Sequence, residues 1–417
     1  MLFEQLLNTP FCIYGAGIVA TSIYTAIKTL YHQIPLFFLV SDTKEISGRM
    51  DEPPIEIDGI VVKRLSKWQK ELQQLQNQQL LQNTKRSMAI PKYYLIAVPE
   101  AHHQSIVKNL HSLELFDLSI EDSQIILFTN ELENELMEAY YSSLVNCTTV
   151  LDLISDGPRQ KDEQGPKAGK RENSHQTNSA ETAEKLSKIQ IFQAKSHMDK
   201  PLQQRVDISA YITPLQAGAS LTKLSVADLK DNTGDNISEK NRNYCELTAT
   251  YHAWKNSRAT YKGICHYRRI FDIDEKQMQT LLAMEHKWDV ILPYPSVYYP
   301  NISKEHTRYV NESDWNAMLQ ALRETAPEYL AAYEKAITDG EQFFSNFNML
   351  IAKAEIFDDY CNFLFTVLER TEKLTTSKGW ERADRFAGYL GENLTTIYFL
   401  KNREKIKVVY AGKMWLT

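Results

Sequence analysis

The sequence predicts an α/β protein of two domains. Short apolar runs alternate with stretches of helical apolar spacing, the pattern of a mostly parallel sheet covered by helices. From 155 to 185 the chain has no Leu, Ile, Val, Met, Phe, Tyr or Trp, so it cannot bury enough apolar surface to offset the entropy of ordering it. A length of 417 residues also exceeds one ordinary core. The expected division is a domain at 1–150, a flexible linker at 151–187 and a second domain at 188–417.

Composition narrows the function classes. A net charge of −6 without a basic tail argues against nucleic acid as the partner. No apolar run approaches the ~20 residues that span a bilayer, and the opening MLFEQLLNTP lacks the basic start and apolar core of a secretion signal. Five scattered cysteines without CxxC spacing suit reduced thiols rather than a disulfide framework or a zinc site. The expectation is a cytoplasmic protein, with contact at the inner face of the membrane left open.

In the first domain, strands are expected at 11–14, 36–40, 60–62, 94–98 and 125–128. A helix follows the first strand to about Tyr31, and a Gln/Leu-rich helix covers 68–83. Between the first strand and its helix lies Gly15-Ala16-Gly17-Ile18-Val19-Ala20, the G-x-G-x-x-A of a Rossmann-like turn. There Gly15 and Gly17 let the backbone approach a pyrophosphate at the helix N-terminus, and Asp42, after the second strand, would accept from a ribose hydroxyl. A second reading has the turn serve packing alone, and a third gives it a nucleotide sugar or related ligand in place of NAD. His102 and His103 read as polar residues at a helix start, or as lining of a ligand crevice. No Tyr-x-x-x-Lys or hydride-transfer pair accompanies the turn, which counts against a dehydrogenase.

In the second domain, 189–194 is a strand ending in Lys195-Ser196-His197, and 289–292 is another. Helices are expected at 314–326 (capped by Ser313 and followed by Pro327), 356–369 and 385–400, with 343–352 a turn feeding a buried strand. The most informative block is 241–271, NRNYCELTATYHAWKNSRATYKGICHYRRIF. A polar cluster opens an aromatic-rich helix, and a strand then ends in His266-Tyr267-Arg268-Arg269. Arginine offers a planar fork of donors that stays charged, and open α/β sheets bind ligands at the carboxyl ends of strands, so this cluster suits a diphosphate. In the alternative, Arg268 and Arg269 pair with internal carboxylates. Tyr251 and Trp254 read as core rather than as stacking partners for a sugar.

The runs KSHMDKPL, PLQAGA, GDNISEKNRNYCELTATYHAWKN, GICHYRRIF, FSNFNMLIAKAEIFDDYCNFLF and RFAGYLGENLTTIYF, in that order, resemble a bacterial family of capsular and exopolysaccharide glycosyltransferases formerly catalogued as a domain of unknown function. The resemblance covers nearly all of 188–417. It implies a GT-A-like domain that binds a nucleotide sugar, a UDP-sugar donor, and transfer of a hexosyl unit, galactosyl in type, to a glycan or lipid-linked acceptor in surface polysaccharide synthesis. The first domain lies outside it and is similar, more distantly, to Rossmann-type domains of sugar-modifying enzymes.

Glycosyl transfer must stabilise a departing diphosphate while a base takes a proton from the acceptor hydroxyl. The expected donor-binding residues are Lys195, His197, Asn241, Tyr244, Glu246, His266, Arg268 and Arg269, with the cations doing the work of a metal. The cofactor expectation is therefore none required, with a divalent ion kept as a fallback at Asp272 and Asp274; Asp274 also precedes a helical pattern and reads as its cap. Asn346 and Asn348 are expected on the acceptor side. Glu392, between Gly388, Gly391 and Asn393, is the first choice of base and Asp384 the second; a helix-initiating acid is the other reading of Glu392. The competing functions are an NAD-dependent oxidoreductase or epimerase centred on the first domain, and a non-catalytic sugar-nucleotide-binding module.

Overall fold

Each half of the chain builds its own sheet. The computed structural model describes residues 8–42, 53–81, 90–113, 120–155, 188–202, 208–304, 309–375 and 382–416. The first half runs β1 (Phe11–Tyr14), α1 (Ile18–Tyr31), β2 (Phe38–Val40), β3 (Glu56–Ile57), β4 (Ile60–Arg64), α2 (Leu65–Leu81), β5 (Tyr93–Ile96), α3 (His103–His111), β6 (Ile125–Leu127), α4 (Asn130–Ser143) and α5 (Val150–Ser155). Its strand order is β3-β4-β2-β1-β5-β6, all parallel except β3. The order reverses at β1, as in doubly wound sheets.

β1 explains itself by alternation. Phe11 and Ile13 face one apolar cluster with α1 and α4, while Cys12 and Tyr14 face another with Trp68, Ile106 and Leu110. A strand buried on both faces must be apolar throughout, which FCIY is. Gly15 then turns with φ +130°, and a Cβ there would stand 2.6 Å from the Ala97 carbonyl oxygen. His103 is buried and donates from Nε2 to the Val98 carbonyl at 2.8 Å, in keeping with its reading at a helix start.

The second half contains β7 (Ile189–Lys195), β8 (Ile212–Gln216), β9 (Leu229–Lys230), α6 (Asn241–Tyr244), α7 (Leu247–Asn256), β10 (Tyr261–His266), β11 (Arg269–Phe271), α8 (Glu275–Ala283), β12 (Val290–Pro293) and β13 (Ser296–Val297). It continues with α9 (Glu312–Thr325), α10 (Pro327–Thr338), β14 (Phe343–Phe344), β15 (Leu350–Lys353), α11 (Ala354–Leu374), α12 (Phe386–Asn402), β16 (Val408–Ala411) and β17 (Lys413–Trp415). The sheet order is β16-β12-β15-β10-β7-β8-β9, with β11 pairing β10 and β17 pairing β11. β10, β7, β8 and β9 run parallel, and β15 runs antiparallel to β10. A large apolar cluster joins one face of the sheet to α7, α9, α11 and α12, and includes Tyr244, Leu247, Trp315, Tyr360, Leu390 and Tyr398.

Two expectations change here. Residues 151–155 are not linker but the remainder of α5, whose Val150 and Leu153 pack into the core of the second half; residues 156–187 lie outside the described residues. The cap of α9 is Asn311, whose side chain accepts from the Asp314 amide at 2.9 Å, while Ser313 only donates to Asn311 at 2.7 Å. Either residue type satisfies a free amide at a helix start, so sequence alone leaves the register of the cap open.

The halves are sewn together along α1 and α4. Thr21 donates to the Val297 carbonyl at 2.7 Å, Val297 donates back to the Ser22 hydroxyl at 3.2 Å, and Tyr141 donates to the Pro295 carbonyl at 2.8 Å. Tyr294 donates to Glu138 and stacks on Tyr141 with centroids 5.0 Å apart.

Candidate active site

β7 and β10 lie side by side in parallel at the centre of the second sheet, with His266 in register with Ala194. Their carboxyl ends therefore deliver Lys195 and His266 to one place. The chain reverses immediately after β10: His266 pairs with Arg269 across a two-residue hairpin whose tip is Tyr267-Arg268. Gln193 of β7 holds that tip, donating to the Tyr267 carbonyl at 3.3 Å. The antiparallel β15 begins at the same end, which places Asn346, Phe347 and Asn348 beside the hairpin.

The hairpin separates the two arginines. Arg269 is folded back: its guanidinium lies 4.1 Å over the Trp415 ring and 4.7 Å over Phe347, and donates to His266 Nδ1 at 3.3 Å. Burial lowers its pKa to about 10, with Glu392 opposing and Arg268 adding to the shift. Arg268 stays half-exposed at the tip with its guanidinium 5.4 Å over Tyr267. Among the described residues no carboxylate makes an ion pair with either. His266 is buried and neutral at pH 7. Desolvation takes its pKa down to about 4, against the pull of Glu246 and with the help of Arg269 and Arg385.

The helices contribute the acids and a further cation. Glu246, immediately before α7, accepts from Asn348 Nδ2 at 2.7 Å. Asn348 also donates to the Gly388 carbonyl at 3.0 Å and is 1% exposed. Arg385 precedes α12 in the left-handed region (φ +64°), donates to Cys245 Sγ at 3.1 Å, and lies 5.7 Å over Tyr389. Burial pushes the Cys245 thiol up to about 12, so it stays protonated. Glu392 sits in the second turn of α12, half-buried, within electrostatic reach of Arg269, Cys245 and Tyr389. On the loop after β7, Asp199 accepts from the Ser196 amide at 2.7 Å. Burial raises its pKa to about 6 even though Lys195, Arg268 and Arg385 pull it down.

Of the sequence-predicted residues, the structure gathers Lys195, Glu246, His266, Arg268, Arg269, Asn348 and Glu392 at this end of the sheet. Others are used elsewhere. Asn241 donates to the Cys245 carbonyl at 2.7 Å and to Thr248 at 3.0 Å, holding the turn between α6 and α7. Tyr244 is 1% exposed in the core. Asp384 is tied to Arg382 at 2.5 Å, which itself makes a two-pronged pair with buried Asp314. Asn348 binds protein rather than facing an acceptor. Asn346 is buried with its Oδ1 unpartnered, and His197 has an unpartnered Nδ1. The glycines beside Glu392 serve packing: a Cβ on Gly391 would meet Leu247 at 2.7 Å and Asn348 at 3.1 Å, and Gly388 faces Cys245.

The fallback metal pair is otherwise engaged. Asp274 caps α8 in a reciprocal capping box with Gln277, and Asp272 accepts from Asn134 at 3.1 Å. Among the described residues no group of three His, Cys, Asp or Glu is arranged to hold a metal ion. In the first half, exposed Asp42 accepts from the Ser66 amide and hydroxyl (2.7 Å to the hydroxyl) at the start of α2. Gly17 stands at the N-cap of α1, whose flank is covered by β13. Sequence reasoning missed Asp199, Arg385 and Tyr389, although KSHMDK and RFAGY contain them, and it missed Trp415 entirely.

Residues 190–403 match the family model described as domain of unknown function DUF4422. No curated protein matches the chain in sequence. Among solved structures, the chain is similar to the apo structure of the bifunctional glycosyltransferase WbbM, at 26% identity and a TM-score of 0.47. That alignment covers 55% of this chain and 45% of the other, so the chain spans less than half the length of WbbM. With just over half of its residues inside the match, this chain belongs to the DUF4422 family.

Proposed function

We propose that the protein is a glycosyltransferase that moves a hexosyl unit, galactosyl in type, from a UDP-sugar to a glycan or lipid-linked acceptor. One observation carries the reading: Lys195, Arg268 and Arg385 meet Glu246 and Glu392 at the carboxyl ends of two adjacent parallel strands. Open sheets bind ligands at that place, and a cationic group facing carboxylates is what diphosphate departure and hydroxyl deprotonation together require.

In this reading Arg268 and Arg385, with Lys195, receive the charge that develops on the leaving diphosphate. Fixed guanidinium groups do this without reorganising during the reaction. Glu392 takes the acceptor proton. Glu246, oriented by Asn348, orders the sugar hydroxyls or the ribose. Transfer then needs no divalent ion.

The deciding experiment presents the full chain with a panel of UDP-sugars and acceptors and follows UDP release. Release with at least one hexosyl donor, lost in Glu392→Gln, is the expected result. Binding of UDP without release from any donor across the panel would instead make the protein a binding module.

A further inference from the structure

Among the described residues, strand β17 pairs with one strand, β11: Arg269 pairs with Trp415, Ile270 with Met414 and Phe271 with Lys413. Its other edge meets α4 of the first half. Asn130 donates to the Trp415 carbonyl at 3.0 Å and accepts from the Trp415 amide at 3.3 Å. One turn later, Asn134 donates to the Lys413 carbonyl at 3.0 Å and accepts from the Lys413 amide at 3.3 Å. A carboxamide sets an N–H donor beside an acceptor oxygen, as the edge of a strand does. Asn130 and Asn134 stand four apart on one helix face, and residues 413 and 415 point their backbone groups to one edge, so the two repeats coincide.

Other features show that this contact is built rather than incidental. Asn134 lies so close to Gly412 that a Cβ there would stand 2.9 Å from its amide carbon. Lys413 and Glu133 form an ion pair at 3.2 Å with side chains 11% and 12% exposed. The Asn130 amide donates to Glu100. What β17 carries is Trp415, and Trp415 is the floor on which Arg269 stacks at 4.1 Å while Arg269 holds His266.

We propose that the first half serves as a jaw: Asn130 and Asn134 act as a surrogate edge strand that fixes β17 and, through Trp415, sets the position of the His266–Arg269 hairpin. They are positioning residues, and their effect on catalysis rests on the donor reading above. A hairpin held in place before the donor arrives pays no ordering cost on binding, so its loss appears as weaker donor binding rather than as altered chemistry.

The test uses the full chain carrying both Asn130→Ala and Asn134→Ala, with each single substitution as the milder variant should the double one fail to fold. Hydrogen exchange at 266–271 and 413–416 is expected to accelerate at least ~10-fold, while exchange in β1 and β5 stays as in the parent. With UDP-galactose as probe donor, KM is expected to rise about 10-fold with kcat held within about twofold. In a Trp415→Ala background the same pair should add little, because the floor is already gone. Unchanged exchange in the hairpin overturns the inference, and so does an unchanged KM alongside accelerated exchange. Should the parent release UDP from no donor, the glycosyltransferase reading fails on its own and the exchange data alone decide the jaw.

Discussion

Asn348 donates to Glu246 at 2.7 Å and to the Gly388 carbonyl at 3.0 Å, so one buried carboxamide joins the start of α7, the start of β15 and the first turn of α12. It holds a left-handed backbone conformation (φ +48°), which asparagine tolerates better than most residues. Replacing it by Asp puts a second acid against Glu246 and removes both donated bonds. Asn348→Asp is expected to lower UDP release about 10-fold or more and to cost about 2–3 kcal/mol of stability. Asn348→Ser, which keeps one donor, should recover part of each. Steady-state kinetics beside chemical denaturation decide it; wild-type kinetics in the Asp variant would mean that Glu246 needs no positioning.

The two arginines of the hairpin should behave differently. Arg268 is at the tip with no ion pair among the described residues, so Arg268→Ala should leave Tm within a degree or two and lower turnover by roughly 10²-fold. Arg269 is sandwiched against Trp415 and Phe347, and its loss removes stacking worth roughly 1–2 kcal/mol as well as the support of His266. Arg269→Ala should therefore depress Tm and activity together. Activity of Arg268→Ala within about threefold of the parent would remove Arg268 from the donor site.

Periodicity and punctuation made the regular parts of this architecture legible. FCIY followed by GAG, and the apolar runs at 94–98 and 189–194, each lead to a buried parallel strand, because such strands must be apolar on both faces. The site was half legible for a related reason. A cation cluster after an apolar run marks a strand end, which located Lys195, His266 and Arg268. Partnership is what sequence withheld. Nothing in Asn348 says that its donors go to Glu246 rather than to a sugar, and nothing in Asp42 says that Ser66 will claim it. The three-residue β17 lies below any periodicity signal, so Trp415 could be placed under Arg269 only by the fold.

Divalent ions test the electrostatic part of the proposal. If Lys195, Arg268 and Arg385 supply the positive charge, EDTA should change the rate of UDP release by less than about twofold. Loss of activity with EDTA and recovery with Mn²⁺ would point to a carboxylate-held ion. Asp274→Ala separates the readings further. As the cap of α8 it should cost ~1 kcal/mol of stability and leave the kinetics alone, whereas a metal ligand would show the reverse.

Acidification offers a readout independent of substrate, because two groups at the site pull in opposite directions. His266 is neutral in the fold, with its pKa down at about 4 from 6.5. As pH falls from 6.5 to about 4, the unfolded chain binds a proton that the fold excludes, and stability is lost by up to ~3 kcal/mol. Asp199 has its pKa raised from 3.8 to about 6, so falling pH protonates it in the fold first and stabilises it across the same window. Denaturant unfolding between pH 6.5 and 4 should therefore show a shallower loss of stability in His266→Gln than in the parent, and a steeper one in Asp199→Asn. Parallel curves for His266→Gln and the parent would mean that His266 is solvated, which is incompatible with its burial under Arg269.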